Sequence, residues 1–395
     1  MKITNVEIFD VDTDPDAFDV PWHPVIIRIH TDEGLSGVGE AGLAYGVGHS
    51  AAAGMVKNLA EAYLIGIDPM KTEKLWEDMF NTTFWAQGGG PVIFSGMSAI
   101  DTALWDIKGR ALGVPVYQLL GGKTNESLRT YASQIQFGWD KKTFHMLVQP
   151  EQYGEAAAQA VAEGYDCVKV DPIAIGSDGK MHHKNTGILD KKTLDLYYHR
   201  LKAVREAVGP NVDIIIELHS LPSVTSAIQM GRIFEEFECM YYEESVHYLN
   251  PKLQEKVAEN VKIPMAAGER IYTRWGYRPY FENQSLDVIQ PDLGLVGGIT
   301  EGKKICDYAR VYDITVQVHV CGSPVATAAS LQLEAAIPNF IIHEHHTIAL
   351  KPDNIRLCIE DYQPKEGRYE IPDLPGLGIE LNDKALADSP KVVVN

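Results

Sequence analysis

"IIIELHSLPS" (residues 214–223) sets a glutamate and a histidine one residue apart at the end of an isoleucine run. A short, wholly apolar run with a polar end reads as a strand buried on both faces. Side chains two apart on a strand share a face, so Glu217 and His219 point the same way. The other apolar runs extend this reading. "MYYEES" brings Glu243 26 residues after Glu217, and "IPMAAGE" brings Glu269 after another 26. "LDVIQPD" ends in Asp292 after 23, "ITVQVH" in His319 after 27, and "FIIHE" in Glu344 after 25. One strand–helix unit takes about 25 residues in an eightfold α/β barrel of roughly 250. Six consecutive units therefore deliver a carboxylate or imidazole to the C-terminal ends of successive parallel strands, the face that carries chemistry in such barrels.

The intervals between these ends carry helical spacing. Val224, Ala227, Ile228, Met230, Ile233 and Phe234 follow Glu217. Leu253, Val257 and Val261 follow Glu243, and Ile299, Ile305, Tyr308 and Ala309 follow Asp292. Upstream, "CVKV" (167–170) sets Lys169 at the end of the preceding strand, with Asp171 two residues on and facing the same way. The polar, glycine-punctuated stretch 172–193, with His182 and His183, reads as a long loop after that strand. It lines either the site or an oligomer contact.

Residues 1–125 have a different texture. "KITNVEIFDVDT", "PVIIRIHTDEG" and "LSGVGEAGL" are strand-like, with "DEG" as a turn. Helical patterns follow in "HSAAAGMVKNLAEAYLIG", "DPMKTEKLWEDMFN" and the 96–122 segment, where Gly113 and Pro115 signal a stop. We expect an N-terminal α+β capping domain (1–125), a barrel (126–350), and a C-terminal segment (351–395) packing back on the cap.

The chain has 395 residues, 45% of them hydrophobic and 23% charged, with a formal net charge of -19. That charge argues against nucleic acid, whose phosphates need clustered Lys and Arg. No apolar window is long enough for a membrane span. The N-terminus lacks the apolar block of a signal peptide. Five dispersed cysteines, never in C-x-x-C spacing, read as reduced thiols of a cytoplasmic protein.

Carboxylates from three adjacent strands repel one another unless a cation lies among them. Oxygen ligands from Glu217, Glu243 and Glu269 select a hard ion, Mg²⁺ first and Mn²⁺ second, and disfavour zinc. Asp292 and His319 form an orienting carboxylate and an imidazole general base. Lys169 can neutralise an anionic substrate or act as a base. In "HEHH" (343–346) only Glu344 is expected to face the mouth, leaving the histidines structural.

Together these residues resemble the enolase superfamily, specifically its mandelate racemase subgroup of acid-sugar dehydratases and racemases. The likeness spans nearly the whole chain. "GMSAIDTALWDIKGRALGVPVYQLLGG" is similar to the family's passage from cap to barrel. "YYEES" stands where the family has E-E-P, with Ser245 in the proline's place, and "AAGER", "QPDLGLVGGIT" and "VQVHVCGSP" resemble the next three strand ends. The resemblance implies an α/β fold, a (β/α)₇β TIM-type barrel with an N-terminal α+β cap completed by the C-terminal tail. It implies Glu217, Glu243 and Glu269 as metal ligands, although the first is more often Asp. It also implies Asp292–His319 as the base dyad and Glu344 as a hydrogen-bond partner of substrate carboxylate. A homo-oligomer, dimer to octamer, is the family habit.

The implied reaction is dehydration of a small-molecule acid sugar. His319 takes the C2 proton and the 3-hydroxyl leaves, giving a 2-keto-3-deoxy acid. His219 is the candidate acid, since galactonate dehydratase-like members carry a histidine at that offset. The alternatives are racemisation or epimerisation with Lys169 opposing His319, lactone cycloisomerisation, or an aldarate (diacid) dehydratase. A non-catalytic metal-binding relative is the remaining class. The cap loops 10–24 and 81–96 hold no Lys or Arg to clamp a second carboxylate, which favours an aldonate monoacid such as galactonate or gluconate. Trp22, His23, Tyr45 and Trp85 are candidates to close over its hydroxyl end.

Overall fold

The computed structural model describes residues 1–13, 22–181 and 185–395, so His182 and His183 lie outside the described residues. The chain opens with β1 (Ile3–Asp10), β2 (Val25–Thr31) and β3 (Ser36–Ala41), paired antiparallel in that order. One face of this sheet carries α1 (His49–Tyr63), α2 (Thr72–Thr82) and α3 (Pro91–Leu112). Pro91 suits the first turn of α3, where its missing N–H is not needed, and Gly113 ends the helix in the left-handed conformation at φ 69°. The α3 backbone lies directly on β3. A Cβ at Gly39 would come within 2.0 Å of the Ala99 carbonyl and one at Gly37 within 2.3 Å of Ala103, so only glycine permits that approach.

Seven parallel strands follow the cap in chain order: β4 (Ser127–Ser133), β5 (Cys167–Val170), β6 (Asp213–Glu217), β7 (Tyr241–Glu243), β8 (Met265–Ala267), β9 (Val288–Ile289) and β10 (Thr315–Val316). Each pairs with the next. The eighth, β11 (His343–His346), pairs with β4, and Phe340 just before it pairs with Val316 of β10. The ring is thereby closed, an eight-stranded α/β barrel beneath an α+β cap. Its interior is filled by Tyr131, Cys167, Ile215, Tyr241, Ala266, Val288 and Ile342. The first strand, "SLRTYAS", is one the apolar-run pattern passes over, because it mixes polar residues with apolar ones and ends in no charge.

The segment after 350 serves both units. β12 (Arg368–Glu370) pairs antiparallel with β4 of the barrel, and β13 (Lys391–Val394) pairs antiparallel with β1 of the cap. All five cysteines are free thiols, and all but Cys321 are buried. Among the described residues no helix is long and apolar enough to cross a membrane.

Candidate active site

The strand ends meet in one polar cluster at the C-terminal mouth. Glu217 and Glu243 close β6 and β7 side by side, and Glu269 stands two residues beyond β8. One carboxylate oxygen from each lies within 4.8 Å of the others. Glu243 Oε2 is buried and accepts no hydrogen bond, an expensive state for a carboxylate oxygen. Three converging carboxylates, one with an oxygen left without a hydrogen bond, are the donor set a hard divalent cation takes. The residues fit the group.

His219 has a partner that its sequence position does not suggest. Its Nδ1 is 2.5 Å from Asp171 Oδ2, while Asp171 Oδ1 accepts the amides of Ile173 and Ala174 at 2.8 Å. Asp171 is fully buried and holds His219 in its orientation. The chain turns sharply here, with His219 (φ 46°), Ser220 (φ 57°) and Glu244 (φ 45°) all left-handed. Such strain in non-glycine residues is typical of functional sites and needs surrounding bonds to hold it. Those bonds are Ser220 N–H to the Glu244 carbonyl (2.9 Å) and Leu218 N–H to the Glu243 carbonyl (3.1 Å).

A second dyad stands on the opposite wall, four strands round the ring. His319 Nδ1 is 2.7 Å from Asp292 Oδ2, and Asp292 Oδ1 accepts the Gly294 amide at 2.7 Å. His319 Nε2 is 3.2 Å from Glu269 Oε2. Burial works against a charged imidazole, but Glu269 and the Asp292 hydrogen bond overcome it and raise the His319 pKa to about 10. Burial likewise opposes charge on His219, and Glu217 and Asp171 raise it to about 9.

Lys169 is not a free base. Its buried Nζ lies 2.7 Å from Glu243, 3.0 Å from Glu344 and 3.4 Å from Glu217. Desolvation lowers its pKa, but these carboxylates outweigh that and hold it well above the ordinary lysine value. Glu344 is engaged in the same cluster. Its Oε1 accepts from Ser133 Oγ (2.7 Å) and its Oε2 from the Val320 amide (3.0 Å). Despite burial, Lys169 and His319 keep Glu344 well below the usual carboxylate range.

Trp22 is 2% exposed, clustered with Ala44, Phe144 and Ile348, and donates to Asn354 (3.3 Å). It is packing, not a wall of the site. His23 stacks on His49 at 4.3 Å. Tyr45 and Trp85 are 55% and 74% exposed and keep surfaces open to a ligand, Trp85 edge-on to Phe84.

The strand-end pattern passes over Arg270, and the expectation that only Glu344 of "HEHH" faces the mouth is corrected for His346. Arg270, next to Glu269, ion-pairs with Glu269 (3.0 Å) and with buried Glu244 (2.9 Å). His346 lies two beyond Glu344 and shares its face, which strict alternation could have signalled. Burial, with the charges of His319, Lys169 and His219, pushes it down to about 3, so it is neutral. His343 and His345 face the other way, held by Glu334 and Tyr165, each at 2.5 Å.

The imidazole shifts have a measurable consequence. A pKa raised on folding stabilises the fold fully below the unfolded value of about 6.5, and that contribution is lost as pH rises through the folded value. For His219 and His319 the loss runs through about 9 and about 10. Glu244, raised by burial to about 8, loses its contribution in the same direction as pH climbs from its ordinary range. The melting temperature of metal-free protein should therefore fall by several degrees between pH 7 and pH 10 in calorimetry. A flat profile would contradict this electrostatic arrangement.

Residues 152–385 match the family model for enolase C-terminal domain-like proteins, and residues 22–121 match that for the mandelate racemase / muconate lactonizing enzyme N-terminal domain. The D-xylonate dehydratase of Haloferax volcanii is 33% identical, over 96% of this chain and 88% of its own. The D-galactonate dehydratase of Verminephrobacter eiseniae is 31% identical, over 93% and 91%. A crystal structure of an enolase superfamily member from Salmonella Typhimurium is 55% identical, covers 100% of both chains and superposes with a TM-score of 0.95.

Proposed function

The chain belongs to the mandelate racemase / muconate lactonizing enzyme family of the enolase superfamily and is an acid-sugar dehydratase, and from that premise we propose how its residues divide the reaction. The observation that carries the proposal is the pair of oriented imidazoles, His219–Asp171 and His319–Asp292, on opposite walls of one carboxylate-lined mouth. An elimination needs a base at one carbon and an acid at the next. Glu269 is what chiefly holds His319 protonated. With a cation on Glu269 that pull is cancelled and His319 Nε2 is free to take the C2 proton, while Asp292 holds Nδ1–H and supports the charge that forms. His219, held by Asp171, is the group placed to give its proton to the departing 3-hydroxyl. A divalent cation on Glu217, Glu243 and Glu269 supplies the positive charge that developing negative charge at the substrate carboxylate requires. Mg²⁺ suits that all-oxygen set, with Mn²⁺ as a substitute.

The substrate we favour is an aldonate monoacid. Lys169 and Arg270, the cations described in the cluster, each face at least two carboxylates, leaving neither for the far carboxylate of a diacid. Epimerisation is the second reading, because His219 opposes His319 and could return a proton to the other face of C2. Lys169 is too tightly held to play that part.

Product analysis separates the two, since only elimination yields a 2-keto acid that reacts with semicarbazide. The sharper test is His219→Asn. Dehydration should fall by about 10²–10⁴-fold, the usual worth of a general acid, while exchange of the C2 hydrogen with solvent deuterium continues. Loss of both together rules out His219 as the acid.

A further inference from the structure

The cap grips the barrel at the two turns that follow the strands bearing His319 and Asp292. Helix Gly298–Arg310 comes after Asp292, and cap side chains hold its first amides. Ser98 Oγ accepts from Gly297 (2.9 Å) and Gly298 (3.0 Å), and Asp101 accepts the Thr300 amide (2.8 Å) and hydroxyl (2.6 Å). Helix Pro324–Ala336 comes after His319, and its start is held by Glu40 of β3. Glu40 accepts the Ser323 amide at 2.9 Å, the Ser323 hydroxyl at 2.6 Å and the Ala326 amide at 3.2 Å. The first amides of a helix lack partners within it, and a carboxylate placed there gains from those donors and from the helix dipole. Glu40 is 4% exposed, and burial pushes its pKa up to about 7.

The two clasps differ in their reach. Asp101 seizes its helix at Thr300, inside the helix and well past Asp292. Glu40 seizes Ser323, at the far end of the short "HVCGS" turn that begins with His319. Glu40, Gly42, Asp292, Gly294, His319 and Gly322 line one small cavity beside the dyad. A cap backbone contact adjoins it. The Gly42 amide donates to the Gly294 carbonyl at 2.9 Å, and Gly294 in turn donates to Asp292 Oδ1. A Cβ on Gly42 would come within 2.9 Å of the Gly294 carbonyl carbon, so the two backbones meet without slack.

We propose that Glu40 is a positioning residue for His319, acting from the cap through the Ser323–Ala326 turn to fix the loop on which the imidazole stands. This rests on the reading of His319 as the base. Glu40 touches no reacting atom, but misplacement of a catalytic group by about 1 Å costs on the order of 10²-fold in rate.

The test uses the Mg²⁺-loaded enzyme with Glu40→Gln, Ser323→Ala and, as a staple without the same reach, Asp101→Asn. Glu40→Gln should lower kcat by about 10- to 100-fold with KM within about threefold, and slow C2 deuterium exchange by the same factor. Ser323→Ala should lower both rates by about threefold, while Asp101→Asn lowers the melting temperature and leaves them near wild type. Wild-type kcat and exchange in Glu40→Gln, with only a lower melting temperature, overturns the proposal. If Glu40→Gln fails to fold, unchanged rates in Ser323→Ala overturn it instead. Should the wild type act on no acid sugar, the functional reading fails separately. The downfield proton resonance of His319 Nδ1–H against Asp292 then decides, its shift or loss in Glu40→Gln supporting the role and an unchanged signal refuting it.

Discussion

His319→Asn should abolish both C2 hydrogen exchange and 2-keto acid formation, with a fall in kcat of about 10⁴-fold, the upper end for a general base. Asparagine fills similar space but its side-chain nitrogen has no basic lone pair. Asp292 would keep its Gly294 hydrogen bond and lose only the imidazole 2.7 Å away. The opposite wall, His219 with Asp171, would be untouched, so this variant contrasts directly with His219→Asn. Mass spectrometry of recovered substrate in deuterium oxide reads the first loss, and semicarbazide absorbance the second. Continued exchange in His319→Asn would mean that another group takes the C2 proton.

Chelation should be as severe. Treatment with EDTA should bring turnover to background, with recovery on adding Mg²⁺ or Mn²⁺ and none with Zn²⁺, which prefers nitrogen and sulfur ligands. Glu243→Gln should cost on the order of 10³-fold in kcat and weaken Mg²⁺ binding in titration calorimetry, since Glu243 supplies the orphaned oxygen of the cluster. The fold should survive chelation, because Lys169 already sits among Glu217, Glu243 and Glu344 and offsets part of their repulsion. Full turnover in exhaustively chelated protein would remove the cation from the reaction.

The architecture was largely legible because a barrel imposes a period. Burial on both faces makes β6 and its successors read as short apolar runs, and the 23- to 27-residue interval follows from one strand, one helix and two turns. β4 escaped because it does not share that composition. In the site, the period tells how far along the barrel axis a residue stands. It does not tell which side chains clasp across the mouth. Asp171 and His219 are 48 residues apart on neighbouring strands, and only the turn at Ile173–Ala174 aims the carboxylate at the imidazole. Position at a strand end suggests Lys169 and resemblance suggests Glu344, but the ion pair between them follows only from three-dimensional proximity. Glu40 was out of reach of any such reading, since its partners Ser323 and Ala326 lie 283 and 286 residues away in the barrel.

β13 completes the cap sheet beside β1, with Val394 opposite Val6. On the ribosome, the strand that covers β1 is made only after the entire barrel. Throughout synthesis β1 is an open sheet edge with unpaired amides and carbonyls, the kind of surface that recruits strands from other chains. Closing it joins segments at nearly the greatest sequence separation the chain contains, a slow event by loop entropy. The cap should thus mature last, and crowded nascent chains should be most vulnerable to cross-pairing at β1.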